Sequence, residues 1–240
     1  MIKLDDETKD FLEDAKLLMK KEIKNVSYLL NEIGNRNNTI AKVIGANVFA
    51  VGSEMLAFQI LNNLDRSYLL ISMIGLRTLL ENYINVHYIY HHPNHLEDEE
   101  WAEKLCKDYI QRTVDLNSRK SQLGEKSLYQ RARIIGWEEL YNRVYSDLCN
   151  YSHFLSDILD SSVMPFYLKG KTIETAIYTI TFYQDILITI LSFYKTSFDN
   201  FIDEIFSFKN KGETILSNIN VRKEYEIFKE NIKKFINTYE

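Results

Sequence analysis

Arg77 and Glu81 stand four positions apart in the run RTLLENYIN, over 77–85. At that spacing on a helix the two side chains lie one turn apart on one face, where a guanidinium and a carboxylate can meet. Leu70, Ile74, Ile84 and Tyr88 fall on the same line. Both charges are therefore expected to be buried, and a buried charge without a partner costs several kcal/mol or more. Two readings stay open: a structural ion pair that sets how helices pack, or a guanidinium prepared for an anion.

Four of the five histidines cluster in HYIYHHPNH, over 87–95. His87 and His91 share a helical face and could hold a metal ion between them. Equally, His91, His92 and His95 stand where a helix C-terminus offers exposed carbonyls and the negative end of its dipole. The HExxH motif and the paired ExxH units of di-iron bundles are absent, so no metal is expected. Cys149, His153 and Asp157 follow one another at four-residue steps. That spacing permits contact but supplies no donor for an oxyanion, which makes a core thiol and capping groups the simpler reading. No GxxxxGKS or GxGxxG loop occurs, which argues against an ATPase or a dinucleotide enzyme.

The elements that must position these groups are helices. Apolar residues recur at three and four positions along most of the chain, and the breaks carry turn residues: GNRNN over 34–38, Pro93 with Asn94, Gly124, and SSVMPFYLKGK over 161–171. The pattern predicts helices over 5–33, 40–62, 65–92, 96–122, 137–160, 172–208 and within 214–239, with 126–136 a short helix or a structured loop. Asp65 is placed to cap the third helix and Pro93 to stop it. Leu69, Met73, Leu76, Leu80 and Tyr83 form a second apolar line on that helix, so it should be central. The expected fold class is all-α, a single domain over 1–240. It should be a bundle of six to eight helices around a buried central helix at 65–92, with helices 5–33 and 214–239 as candidates for peripheral positions. No internal repeat and no Pro-, Gly- or Ser-rich linker divides the chain.

A chain of 240 residues can bury a large core, and two prolines and eight glycines leave little of the turn chemistry that many short strands need. With 29 Lys plus Arg against 34 Asp plus Glu, the chain lacks a global positive field, so any contact with nucleic acid must be local. Its first ten residues carry early acids and no apolar core, and Cys106 and Cys149 form no CxxC; a cytoplasmic protein with reduced thiols is expected. The apolar stretch 177–194 is interrupted by Thr179, Thr181, Gln184, Asp185, Thr189 and Ser192, which predicts a core helix rather than a membrane span. The basic stretches 16–24 and 222–234 read as solvated faces. The 16 Tyr and 13 Phe, clustered among others at Phe182, Phe193, Phe206 and Phe208, are expected to pack in the core, while a surplus could form a homodimer or partner surface.

The Arg77–Glu81 run, followed by YSDLCNYSH over 145–153, resembles the two signature segments of a widespread, functionally uncharacterised family of bacterial all-helical proteins. In that pattern one helix carries Arg and, four residues on, Glu; a later helix ends in Ser-His preceded by Tyr and Leu. The match covers roughly 65–160. More distantly, the chain is similar to the HEPN-type helical bundles of toxin and phage-defence systems, in which an Arg and a His cleave RNA. The resemblance implies RNA as a partner and a metal-independent, ribonuclease-like reaction without a cofactor. In it the imidazole moves protons while the guanidinium holds the scissile phosphate. HEPN nucleases carry their His within two turns of the Arg on one helix, whereas Arg77 and Arg143 here each have one ten positions later, at His87 and His153. The implied pocket therefore joins Arg77 and Glu81 to His153 across two helices as catalytic residues, with Tyr145, Ser152 and Asn85 as binding groups. The competing expectation is a non-catalytic oligomerisation or partner-binding module in which the same residues lock the bundle.

Overall fold

The computed structural model describes residues 4–35, 40–66, 68–90, 127–145, 148, 164–193 and 202–219. Among them the fold is all-α: α1 (Asp6–Asn35), α2 (Ile40–Asp65), α3 (Leu69–Tyr90), α4 (Leu128–Ile134), α5 (Glu138–Leu140) running into a π-turn (Tyr141–Tyr145), α6 (Met164–Phe193) and α7 (Ile202–Asn218), with no strand. The helix expected over 96–122 and most of 214–239 lie outside the described residues.

Two long helices share the centre. α6 packs against α1, α2, α3 and α7, and α3 against α2, α6 and α4. Every residue of α3 from Tyr83 to Tyr90 is buried, whereas its first half buries one side and exposes Ile71 and Ile74. α3 and α6 run parallel, because contacts climb both helices together: Tyr83 stacks on Phe182 at 4.8 Å, and further on His87 meets Thr189 at 2.9 Å. α2 returns antiparallel to α3 and crosses it closely at Gly75, where an added Cβ would lie 2.8 Å from Ile60 Cγ1; beside it Ser72 Oγ donates to Ile60 O at 3.1 Å. α1 contributes Phe11, Leu12, Ala15 and Met19 to the core, all fully buried. Its first turn is capped by Asp5, whose Oδ1 accepts from Thr8 N at 2.8 Å, and is tied to α6 by Lys169, which donates to Asp5 and Glu7.

Three helix boundaries differ from the sequence reading. Asp65 ends α2 instead of capping α3, because the helical ladder continues into Arg66 N→Asn62 O and Tyr68 N→Asn63 O, and its carboxylate is held by Lys16 at 2.9 Å. α6 begins at Met164, so Pro165 stands in its first turn, where a missing N–H costs no hydrogen bond. The single helix expected over 172–208 is two, ending at Phe193 and restarting at Ile202; the residues between include Ser197, Asp199 and Asn200, types that favour a new N-terminus.

Candidate functional site

Arg77 and Glu81 do meet, and a third residue joins them. Arg77 Nε donates to Glu81 Oε1 at 3.3 Å, Arg77 Nη2 donates to Tyr145 Oη at 3.0 Å, and the Tyr145 hydroxyl donates to Glu81 Oε1 at 3.0 Å. The ring of three hydrogen bonds closes on itself, and the Arg77 guanidinium lies 5.0 Å from the centre of the Tyr145 ring. Tyr145 reaches α3 from the end of the π-turn, whose wider pitch moves side chains out of α-helical phase, a device common at functional sites. Tyr141 stacks on Tyr145 at 4.6 Å and fixes its plane.

The expectation that Arg77 and Glu81 are buried is corrected. Their side chains keep 30% and 36% of their exposure, because the line they share with Ile74 turns toward water and Ile74 itself is 44% exposed. Tyr145 is pushed up to about 12: burial disfavours its phenolate, the Glu81 carboxylate adds to that, and Arg77 opposes it. It therefore stays a protonated donor at neutral pH. From α4, the buried Arg131 adds a second guanidinium within electrostatic reach of Glu81; burial lowers its pKa, and Tyr88 and Glu81 counter that.

α4 is placed by local signals. Ser127 and Gln130 form a reciprocal capping box at its start. Gly136 ends it at φ +80°, with Gly136 N→Arg133 O and Trp137 N→Ala132 O closing a Schellman turn. That turn delivers Trp137 to a polar cluster between α3 and α6, buried at Tyr83, His87 and Thr189 but open to water at Asp185, whose side chain is 38% exposed. The Trp137 ring stacks on Tyr83 at 4.5 Å and tilts over His87 at 4.2 Å. Tyr83 donates to Asp185 Oδ2 at 2.6 Å, and His87 Nε2 lies 3.2 Å from the same oxygen and 2.9 Å from Thr189 Oγ1. Burial first, and then Asp185, raise the Tyr83 pKa far above the ordinary phenol range. His87 thus serves the α3–α6 interface, and among the described residues no group of three or more His, Cys, Asp or Glu is placed to hold a metal.

Beside the Arg77 ring a cleft of about 410 Å³ opens between α3, the π-turn and α6. Arg143, Lys171, Glu174 and Tyr178 line its mouth, and Met73, Leu76, Val144 and Leu148 its floor. Sequence reasoning named none of these as site residues. Their signal was faint, because Arg143 differs from other surface cations only through the π-turn that carries it.

Of the predicted site residues, the structure brings Arg77, Glu81 and Tyr145 together. Asn85 does not join their ring of hydrogen bonds: it sits about one turn beyond Glu81 on α3, is buried at 5% exposure, and its Oδ1 has no hydrogen-bond partner. His153 and Ser152 lie outside the described residues, as do Cys106, Cys149, Asp157, His91, His92 and His95. Among the described residues no helix is long and apolar enough to cross a membrane. Fold and site together define an all-α bundle with a three-residue polar clasp beside an open cleft. Comparison with known proteins adds no relative: no family model, no curated protein and no solved structure matches the chain.

Proposed function

We propose that the chain is a helical protein of the defence- or toxin-associated kind whose polar pocket around Arg77, Glu81 and Tyr145 engages RNA phosphate without a metal. One observation carries the reading: the clasp is held by π-turn geometry yet left about a third open to water. Arg77 and Arg131 both lie within electrostatic reach of Glu81, which gives this spot a local positive charge that the chain's net charge of −5 does not supply. Arg77 would hold phosphate through its planar guanidinium. Tyr145, a protonated phenol, would orient rather than accept protons, and His153 would move the proton if RNA is cleaved. Incubation of the purified chain with tRNA and total RNA, together with growth on induced expression, tests it. Binding or cleavage of RNA, lost in Arg77→Ala and His153→Ala, is the expected result; intact, unbound RNA with all three proteins equally harmless to growth would remove the proposal.

The competing reading, a non-catalytic oligomerisation or partner-binding module, is favoured by Tyr68, Ile71 and Ile74, exposed at three-residue steps along α3. Light scattering separates the two: a homodimer that dissociates in Ile71→Glu, with no affinity for RNA, supports the module.

A further inference from the structure

Arg143 stands at the mouth of the cleft and is exposed. Glu138 and Glu139 line the other side of it, but among the described residues it makes no ion pair; its one hydrogen bond runs from Nη2 to Tyr178 Oη at 3.5 Å, the long limit of such a contact. Lys171, the other cation at the mouth, is matched by Glu174 at 2.7 Å, so among the described residues of the mouth Arg143 is the cation without an ion pair. Behind it the buried Met73, Leu76, Val144 and Leu148 give the floor a largely hydrocarbon surface, and the one buried polar side chain beside them among the described residues, Thr175, spends its hydroxyl on Lys171 O at 2.6 Å. A volume of about 410 Å³ lies within the range of small-molecule sites, about 300–1,000 Å³.

A bare anion gains nothing from an apolar floor, and a hydrocarbon gains nothing from a guanidinium at the rim. A ligand that uses both has an anionic head to receive the planar donors of Arg143 and a short apolar body to displace water from the floor. We infer that the cleft is a binding site for a small amphiphilic anion, a carboxylate or a phosphate monoester with a short apolar body. The Tyr178 hydroxyl, already at Arg143, gives the head a second donor, and the ring of Tyr178, stacked on Phe182 at 5.3 Å, forms a rigid side wall. The inference does not rest on the RNA proposal, whose readout is RNA and whose residues are Arg77 and His153.

The test is calorimetric titration of the full chain with octanoate and with octyl phosphate, against octanol, octylammonium and inorganic phosphate. Saturable binding of one or both octyl anions at a single site is expected, with each of the other three at least about tenfold weaker. Which anion binds more tightly identifies the head group. Arg143→Ala should weaken the anion by about tenfold or more while leaving the melting temperature unchanged, and Arg143→Glu should turn the preference to octylammonium. The inference is overturned if neither anion saturates in the millimolar range, if octanol or octylammonium binds as tightly as the anions, or if Arg143→Ala binds like the wild type.

Discussion

Tyr145 donates its phenolic hydrogen to the same Glu81 oxygen that accepts from Arg77, at 3.0 and 3.3 Å. Residues separated by 68 positions thus share one carboxylate atom, and the π-turn is fastened to α3 by polar contacts in addition to the apolar contacts of Val144 and Tyr141.

Removing one hydroxyl measures the strength of that fastening. Tyr145→Phe keeps the ring and its stacking on Tyr141 but deletes two of the three hydrogen bonds, and it should lower unfolding free energy by about 0.5–1.5 kcal/mol. Arg77→Ala deletes two contacts that involve charge and should cost about 1.5–3 kcal/mol. Urea unfolding reads both values; a pair of variants as stable as the wild type would mean that the ring does not join the turn to the helix.

The alkaline limb of stability carries the same signature. The Tyr145 pKa rises from 10.0 to about 12, so the folded chain holds its proton where the unfolded chain has released it. This contribution is complete below pH 10 and is lost as pH climbs from 10 through about 12. Tyrosinate absorbance of the folded protein should show one fewer phenol titrating near pH 12 in Tyr145→Phe, and the decline of melting temperature across that window should be shallower in the variant.

How much of this was legible depends on distance along the chain. The Arg77–Glu81 contact follows from four-residue spacing alone, because one helix settles it. The direction in which the pair faces did not follow: α3 is apolar on most of its circumference, and periodicity identifies a face without saying which face meets the core, so Ile74 was expected inside and is exposed. Asp185 stood out as a charge in an apolar stretch, but its partners Tyr83 and His87 lie 102 and 98 positions away, where no local pattern reaches. The division of 172–208 into α6 and α7 was hidden for another reason: no Gly or Pro marks it, and apolar residues continue at helical spacing through it.

Two glycines should respond oppositely to the same substitution. Gly52 is exposed within α2 with nothing within 4 Å of an added Cβ, so Gly52→Ala should stabilise by about 0.5–1 kcal/mol through helix propensity. At Gly212 the new Cβ would lie 2.6 Å from Ile177 Cδ1 and 2.8 Å from Phe11 Cζ. There the propensity gain is outweighed by overpacking, and Gly212→Ala should lose roughly 1–2 kcal/mol. Thermal unfolding of the two variants side by side is the check, and the opposite signs are the critical outcome.

At acid pH the N-terminus of α1 should lose part of its stability. Burial acts to raise the Asp5 carboxyl, but hydrogen bonds from Lys169 and Thr8 outweigh it and bring the pKa from 3.8 down to about 2. A depressed carboxylate stabilises the fold above pH 3.8 and loses that contribution as pH falls through about 2. Asp5→Asn preserves the cap but not the charge; its melting temperature should fall less than that of the wild type between pH 4 and pH 2, and parallel curves would contradict the assignment.

The parallel course of α3 and α6 has a consequence for how the molecule assembles. Helices α1 to α3 follow one another closely along the chain, whereas the residues of α6 that meet α3 lie about a hundred positions downstream, too far along the chain for a tight turn to set their register. Closing so long a segment carries an entropic penalty before any contact compensates it, so its alignment is left to interlocking chemistry at the seam. Tyr83, His87 and Asp185 supply that chemistry: an α6 shifted by one turn would take the Asp185 carboxylate away from the Tyr83 hydroxyl and the His87 ring, and the misregistered bundle would lose both contacts.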